Sequence, residues 1–331
     1  MHPHIAEYAN ISLLLPLVSV IAGLVTLIWS ADRFIEGAIA LARRYQIPPV
    51  VIGLTLVAFG TSAPEIGVSL MAALSGAGSL ALGNVLGSNI ANIGLILGIT
   101  ALVAAMPIAR GALRVELPLL LGVTLLALPL FLDGQLNVTD GLILCVLMGT
   151  SFYLLIRYGS ASQTLAAEAE TVPVMGALRT GFYIVAGLVL LVVSSRMLVW
   201  GAVELATAAG VSELIIGLTL VAVGTSLPEL SASVASALKG EQGMALGNII
   251  GSNLFNLLLV MAIPALVGGV AVEQLSLYRD YGSMVLLTVM LLAFAWLGPL
   301  RHHLSRPEGG VLLALYIGYS LLIALTSGLG A

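Results

Sequence analysis

Long apolar stretches follow one another along almost the whole chain, separated by short turns in which charged residues recur. Such stretches read as membrane-spanning helices, since about 20 apolar residues at ~1.5 Å each cross a hydrocarbon core roughly 30 Å thick. Hydropathy and breaker residues predict ten spans, near 12–42, 49–75, 80–105, 115–132, 139–158, 179–209, 213–238, 244–270, 280–298 and 311–328. The first is too long to stand upright, so it is expected to tilt or to end in a cytoplasmic extension.

Composition agrees with this pattern. Of 331 residues, 60% are hydrophobic and 8% charged, with a mean hydropathy of +1.12, against roughly 25% charged in soluble proteins. An all-α polytopic membrane protein follows, with no room for a soluble domain. The net charge of −4 gives no reason to expect nucleic acid, and no obligate protein partner is evident. Cys145 is the only cysteine, so no intramolecular disulfide can form. The first residues, MHPHIAEYAN, lack the basic region of a cleavable signal peptide. His2, His4, His302 and His303 lie at an end or in a loop, and HExxH is absent, so a catalytic zinc site has little support. An enzyme is not expected, because no nucleophile and base pair is visible, and no cofactor is implied.

Short loops rich in Lys and Arg stay in the cytoplasm. With both termini outside, the inner loops hold Arg43, Arg44, Arg110, Arg114, Arg157, Arg179, Lys239, Arg301 and Arg306, and the outer loops only Arg279. Arg33 and Arg196 fall within spans one and six; with Asp32 and Glu36 they are read as interfacial or locally paired.

The chain also repeats itself. The peptides GLTLVAFGTSAPE, ending in Glu65, and GLTLVAVGTSLPE, ending in Glu229, match at 11 of 13 positions. ALGNVLGSNIAN and ALGNIIGSNLFN, ending in Asn92 and Asn256, match at 8 of 12, and the interval from Asn92 to Asn256 equals that from Glu65 to Glu229. Duplication is the simplest account. Five spans per half is an odd number, so the second half enters the membrane from the opposite side. The expected architecture is two inverted repeats, residues 1–158 (motif about 49–105) and 179–331 (motif about 213–270), joined by a cytoplasmic linker at 159–178 carrying Glu168 and Glu170.

The repeated peptides carry the candidate chemistry. Glycine and proline fall in mid-span in GTSAPE and GTSLPE, so helices 2 and 7 are expected to break there and free backbone carbonyls. Ala58, Thr61, Ser62 and Glu65 are spaced 0, 3, 4 and 7, which places them along one helix face; Ala222, Thr225, Ser226 and Glu229 repeat the spacing. Ser88 with Asn92, and Ser252 with Asn256, share faces of the next span in each half. These are all oxygen donors and suit hard ions such as calcium, whose charge two carboxylates would match; sodium or protons could take its place. The hydroxyls have an ordinary alternative, bonding back to carbonyls at the kink. Gly83 with Gly87, Gly94 with Gly98, and Gly247 with Gly251 read as packing sites, and Asn84, Asn89, Asn248 and Asn253 as interhelical or capping groups. The triplet at Asn137 to Thr139, which matches a glycosylation acceptor, is read as chance.

The paired motifs GTSAPE with GSNIAN and GTSLPE with GSNLFN resemble the two alpha repeats of the cation/calcium exchanger superfamily, in particular sodium/calcium exchangers of prokaryotic type. The resemblance implies Glu65 and Glu229 as central carboxylates, with Thr61 and Thr225 beside them on the metal. It also implies oxygens from Ala58, Ser62, Ala222 and Ser226, and Ser88, Asn92, Ser252 and Asn256 as companions. It implies calcium and sodium as transported ions, and long first and sixth helices that slide. Asn256 stands where many relatives carry Asp, which raises the standing of proton/calcium exchange. The expected function is a sodium/calcium antiporter of the plasma (inner) membrane, exporting calcium; a proton/calcium antiporter and a cation channel are the alternatives.

Overall fold

The computed structural model describes residues 3–158, 175–210, 222–297 and 302–328. Its helices are α1 (Pro3–Arg44), α2 (Pro49–Thr61), α3 (Ala63–Leu74), α4 (Gly78–Val103), α5 (Ala112–Phe131), α6 (Val138–Tyr158) and α7 (Ala177–Ala208) in the first part. After them come α8 (Ala222–Thr225), α9 (Leu227–Leu238), α10 (Gln242–Val267), α11 (Ser276–Leu297) and α12 (Arg306–Gly328). Among the described residues eight helices are long and apolar enough to cross a membrane, nine when the bent pair α2 and α3 is taken as one span. Most of the expected linker, with Glu168 and Glu170, and the first part of the expected span 213–238 lie outside the described residues.

Helix boundaries follow local chemistry. α2 opens at Pro49, and Pro64 falls at the start of α3. A proline there has no N–H to lose and a φ already set for a helix. α6 begins with a reciprocal cap, and α12 with a one-way cap from the first-turn glutamate. The Asn137 Oδ1 accepts from the N–H groups of Thr139 and Asp140 while Asp140 Oδ2 accepts from the Asn137 N–H at 2.8 Å. Glu308 Oε2 accepts from the Ser305 N–H and hydroxyl, both at 2.7 Å. The Asn137 triplet is therefore a helix cap. The Ser305 cap also explains why α12 begins at Arg306 rather than at the expected 311.

Burial separates the centre from the periphery. In α4 and α10, 78% and 83% of the most apolar stretch is buried, against 28% in α1 and 22% in α7. α1 and α7 lie antiparallel against each other, with glycines at the seam: a Cβ on Gly187 would meet the Phe34 backbone at 2.8 Å, and one on Gly23 the Leu198 nitrogen at 2.8 Å. At ~1.5 Å per residue, the 42 residues of α1 extend roughly 63 Å, well beyond a bilayer core. At the centre, α2 crosses α10 backbone to backbone. A Cβ on Gly247 would strike the Val50 carbonyl, one on Gly53 the Met244 carbonyl, and one on Gly251 the Leu54 carbonyl at 2.5 Å. Against α12, Gly98 packs on the Gly309 carbonyl and Gly94 on the Tyr316 side chain. Nothing among the described residues meets a Cβ on Gly83 or Gly87, and positions 214 and 218, the counterparts of Val50 and Leu54 in the second half, lie outside that set.

Two tiny strand pairs clasp the loops. β1 (Met106–Pro107) pairs with β4 (His303–Leu304), and β2 (Gln135–Leu136) with β3 (Val270–Ala271), both antiparallel. At two residues each they carry no readable alternation, so the sequence did not announce them.

Candidate cation site

The bend between α2 and α3 measures 44° and falls at Ser62, whose ψ of 5° leaves the helix. Glu65 then sits in the first turn of α3, and Glu229 in the first turn of α9, where Ser226 with ψ 6° marks the corresponding interruption. A helix N-terminus carries partial positive charge and favours an anionic carboxylate. The proline that restarts each helix thus places each glutamate at a helix N-terminus, which offsets part of the cost of charge in an apolar bundle.

Both carboxylates are buried, Glu65 at 0% and Glu229 at 1% exposure. The two halves serve each other across the centre. Ser62 Oγ donates to Glu229 Oε1 at 3.1 Å, and in the reciprocal position Ser226 lies beside Glu65 together with Ser88, outside hydrogen-bond geometry. Glu65 and Glu229 are near enough to repel each other. Thr61 is buried, lies beside Glu229, and donates to Asn248 Oδ1 at 3.2 Å.

Among the expected site residues, the buried oxygens without a hydrogen-bond partner in the described structure are both of Glu65, Oε2 of Glu229, the hydroxyls of Ser226 and Ser252, and the amide oxygens of Asn92 and Asn256; Asn89 Oδ1, on the same helix as Asn92, is a further one. A buried polar group left unpaired costs about 1–3 kcal/mol, and natural proteins keep few. Carboxylate, hydroxyl and amide oxygens of this kind match in hardness what a calcium ion takes. Asn92 and Asn256 fall in π-helical turns, Asn92–Leu97 and Phe255–Val260, a local widening often found at functional positions. Among the described residues no group of three or more His, Cys, Asp or Glu side chains gathers as a conventional metal centre.

Other expected positions have different surroundings. The Ala58 carbonyl already accepts from the Ser62 N–H at 3.0 Å and the Thr61 hydroxyl at 3.4 Å. Thr61 therefore bonds back at the kink as well as facing the second half. Thr225 is half-buried, and the side-chain surroundings of Ala222 lie outside the described part of the chain.

Asn84 and Asn248, expected as interhelical groups, brace the glutamates. Asn84 Nδ2 donates to the Glu65 backbone carbonyl at 3.2 Å and to Ser69 Oγ at 3.0 Å; Asn248 Nδ2 donates to the Glu229 carbonyl at 3.4 Å and to Ser233 Oγ at 2.9 Å. Each member of one brace is the repeat counterpart of a member of the other. The signal was present in the sequence as serines four residues after each glutamate, inside the repeat.

Buried paired carboxylates, interrupted helices and a densely packed centre flanked by lipid-facing helices define a membrane ion transporter. The sequence profile described as "Sodium/calcium exchanger protein" matches residues 15–157 and 180–325, and the chain belongs to this family. It is 43% identical to the "Putative antiporter CaxA" of Alkalimonas amylolytica over 94% of this chain and 99% of that one. It is 30% identical to the "Sodium/calcium exchanger MaX1" of Methanosarcina acetivorans, over 91% and 96%. Among solved structures, the sodium-calcium exchanger NCX_Mj soaked with zero Na+ and Ca2+ superposes with a TM-score of 0.80 at 30% identity, covering 95% of this chain and 99% of that one.

Proposed function

We propose that this protein is a secondary antiporter that exchanges sodium for calcium across the plasma membrane by alternating access, chiefly exporting calcium. The observation that carries the reading is the glutamate pair on two restarted helices, with three of its four buried carboxylate oxygens unpartnered. Ca2+ as cargo would neutralise Glu65 and Glu229 together. Sodium ions would compete for the same oxygens, drawn from Thr61, Ser62, Ser88, Asn92, Ala222, Thr225, Ser226, Ser252 and Asn256, with the Ala58 carbonyl beside them. Without cargo, two like charges in a low-dielectric centre oppose passage between the two faces, which makes exchange obligatory.

The architecture that suits this is ten spans in two inverted halves, 1–158 and 179–331, around a cytoplasmic linker, with both termini outside. Two features support it: the glutamate and asparagine braces recur at the interval of the duplication, and each clasp takes one strand from each half. Sliding of the long pair α1 and α7, which pack against each other along a glycine seam, would supply the alternating access. NCX_Mj and MaX1 carry sodium–calcium exchange in their names, which supports sodium as the coupling ion. Proton coupling is favoured by one observation, the amide at Asn256, which leaves two carboxylates in the repeats.

Calcium-45 uptake into proteoliposomes loaded with sodium or potassium, with and without a pH gradient, at clamped membrane potential, separates these. Uptake that needs internal sodium supports the proposal; uptake that follows only the proton gradient replaces it with proton/calcium exchange. Calcium flux without any counter-ion would indicate a channel. Glu65→Gln and Glu229→Gln are each expected to abolish calcium-dependent exchange, and unchanged uptake in either removes that residue from the site.

A further inference from the structure

Away from the glutamates, a cleft of about 330 Å³ opens where α5 begins, lined by Arg110, Leu113, Arg114, Trp296 and His302. Its walls are fixed. Trp296, in the last turn of α11, donates its Nε1–H to the Leu113 carbonyl at 3.2 Å. The β1–β4 clasp is extended by the Ile108 N–H donating to the His302 carbonyl at 2.7 Å, with His302 held at φ 69°. Both arginines are exposed, and among the described residues neither forms an ion pair. Trp296 and Leu297, 56% and 82% exposed, mark the depth as the end of a span, where an amphipathic ring sits at headgroup level.

We infer that this cleft binds a phosphate-bearing anion, the headgroup of an acidic phospholipid, between the two guanidinium groups beneath Trp296. Guanidinium forks suit phosphate oxygens in paired hydrogen bonds, and the first turn of α5 adds N–H groups and a favourable dipole. The duplication supplies an internal comparison. The counterparts of Arg110 and Arg114 in the second half are Gln274 and Tyr278, both neutral, so the basic pair belongs to one face and is not part of the repeated scaffold. Basic clefts between spans at the headgroup level recognise anionic lipid, at roughly fivefold in affinity per arginine near the surface. Lipid binding here would hold whichever ion drives exchange.

The test uses the full chain with Trp29→Phe and Trp200→Phe, which leaves Trp296 as the sole indole among the 3 tryptophans. Reconstituted into vesicles of phosphatidylcholine mixed with brominated phosphatidylglycerol, or with brominated phosphatidylcholine, its fluorescence reports the lipid beside it. A preference for phosphatidylglycerol of about fivefold or more is expected. Arg110→Gln with Arg114→Gln should bring the preference to about one, while quenching by brominated phosphatidylcholine, which also reports a folded chain, persists. Arg110→Lys with Arg114→Lys should keep part of it. Equal quenching by the two lipids in the parent protein overturns the inference, as expected of arginines that serve only to orient a span. A preference that survives the glutamine pair also overturns it. Inorganic phosphate that erases the preference assigns the cleft to a soluble anion and overturns the lipid; a preference that persists supports the headgroup.

Discussion

Replacing Asn248 with alanine removes three hydrogen bonds at the junction of the halves: those to the Glu229 carbonyl and to Ser233 Oγ, and the one accepted from Thr61. Asn248 is fully buried, so water does not substitute for them. At about 1 kcal/mol net for each bond, the loss is about 3 kcal/mol. If all of it were felt at the glutamate, apparent calcium affinity would fall roughly 150-fold; part will appear as lower stability, so a fall of at least about tenfold is expected. Ser233→Ala removes only one of the three, about 1 kcal/mol, and should cost no more than about fivefold. Asn248 acts here as a positioning residue, because it holds the carbonyl of Glu229 and donates nothing to the carboxylate. The assay is calcium-45 uptake against calcium concentration in proteoliposomes, alongside thermal unfolding in detergent. Two results refute the reasoning: an Asn248→Ala protein that folds normally with affinity within twofold of the parent, or a Ser233→Ala effect as large as that of Asn248→Ala.

Gly247→Ala should lower the unfolding midpoint by an overpacking cost of about 1–3 kcal/mol, because its methyl would strike the Val50 carbonyl, and a backbone cannot yield as a side chain can. Gly122→Ala, where nothing among the described residues lies within 4 Å, should be neutral or slightly stabilising in the same scan. The Lys239–Asp32 ion pair at 2.6 Å joins α1 to the turn after α9, but its side chains are 27% and 40% exposed. A double-mutant cycle should therefore give a coupling below about 1 kcal/mol that shrinks as salt rises, and a large, salt-independent value would contradict this. Burial pushes the Glu241 carboxyl above its ordinary 4.5, against the smaller pull of Arg43. The folded chain thus favours the protonated form, and the associated stability is present below about pH 4.5 and lost as pH rises through the raised value. Glu241→Gln should match the parent in acid and exceed it in unfolding midpoint at neutral pH; a parent that is the more stable at neutral pH would reverse the sign.

The spans and the glutamate peptides were legible because their signals are local. An apolar run long enough to cross a bilayer and a proline in mid-span act on the chain within a turn or two of where they stand. The interruption at Ser62 lies between Gly60 and Pro64, as the motif predicts, and the cap that moves α12 to Arg306 was present in Ser305 and Glu308, obscured by the weak hydropathy of those residues. What could not be read were relations between distant segments. Nothing near Asn248 announces that it will hold the Glu229 carbonyl and meet Thr61, and the π-turns at Asn92 and Asn256 arise from packing rather than from any residue preference. The repeat partly compensates: an asparagine, a serine and a glutamate that recur with constant separation point to a shared geometry, even where the partners remain unstated.

The clasps bear on how the chain is made. Met106 finds its strand partner in Leu304, and Gly53 its close contact in Met244, so most of the chain must be synthesised after the first member before the second exists. Contacts that join the ends of a long loop form late, after the local helices are in place. A nascent chain therefore holds its early spans with Glu65 lacking Ser226 beside it until well into the second half, and with the edge of Met106–Pro107 open until synthesis nears its end. On the proposed reading, completion of the cation site is thus a late event of assembly: a truncated product would present Glu65 without the groups contributed by the second half.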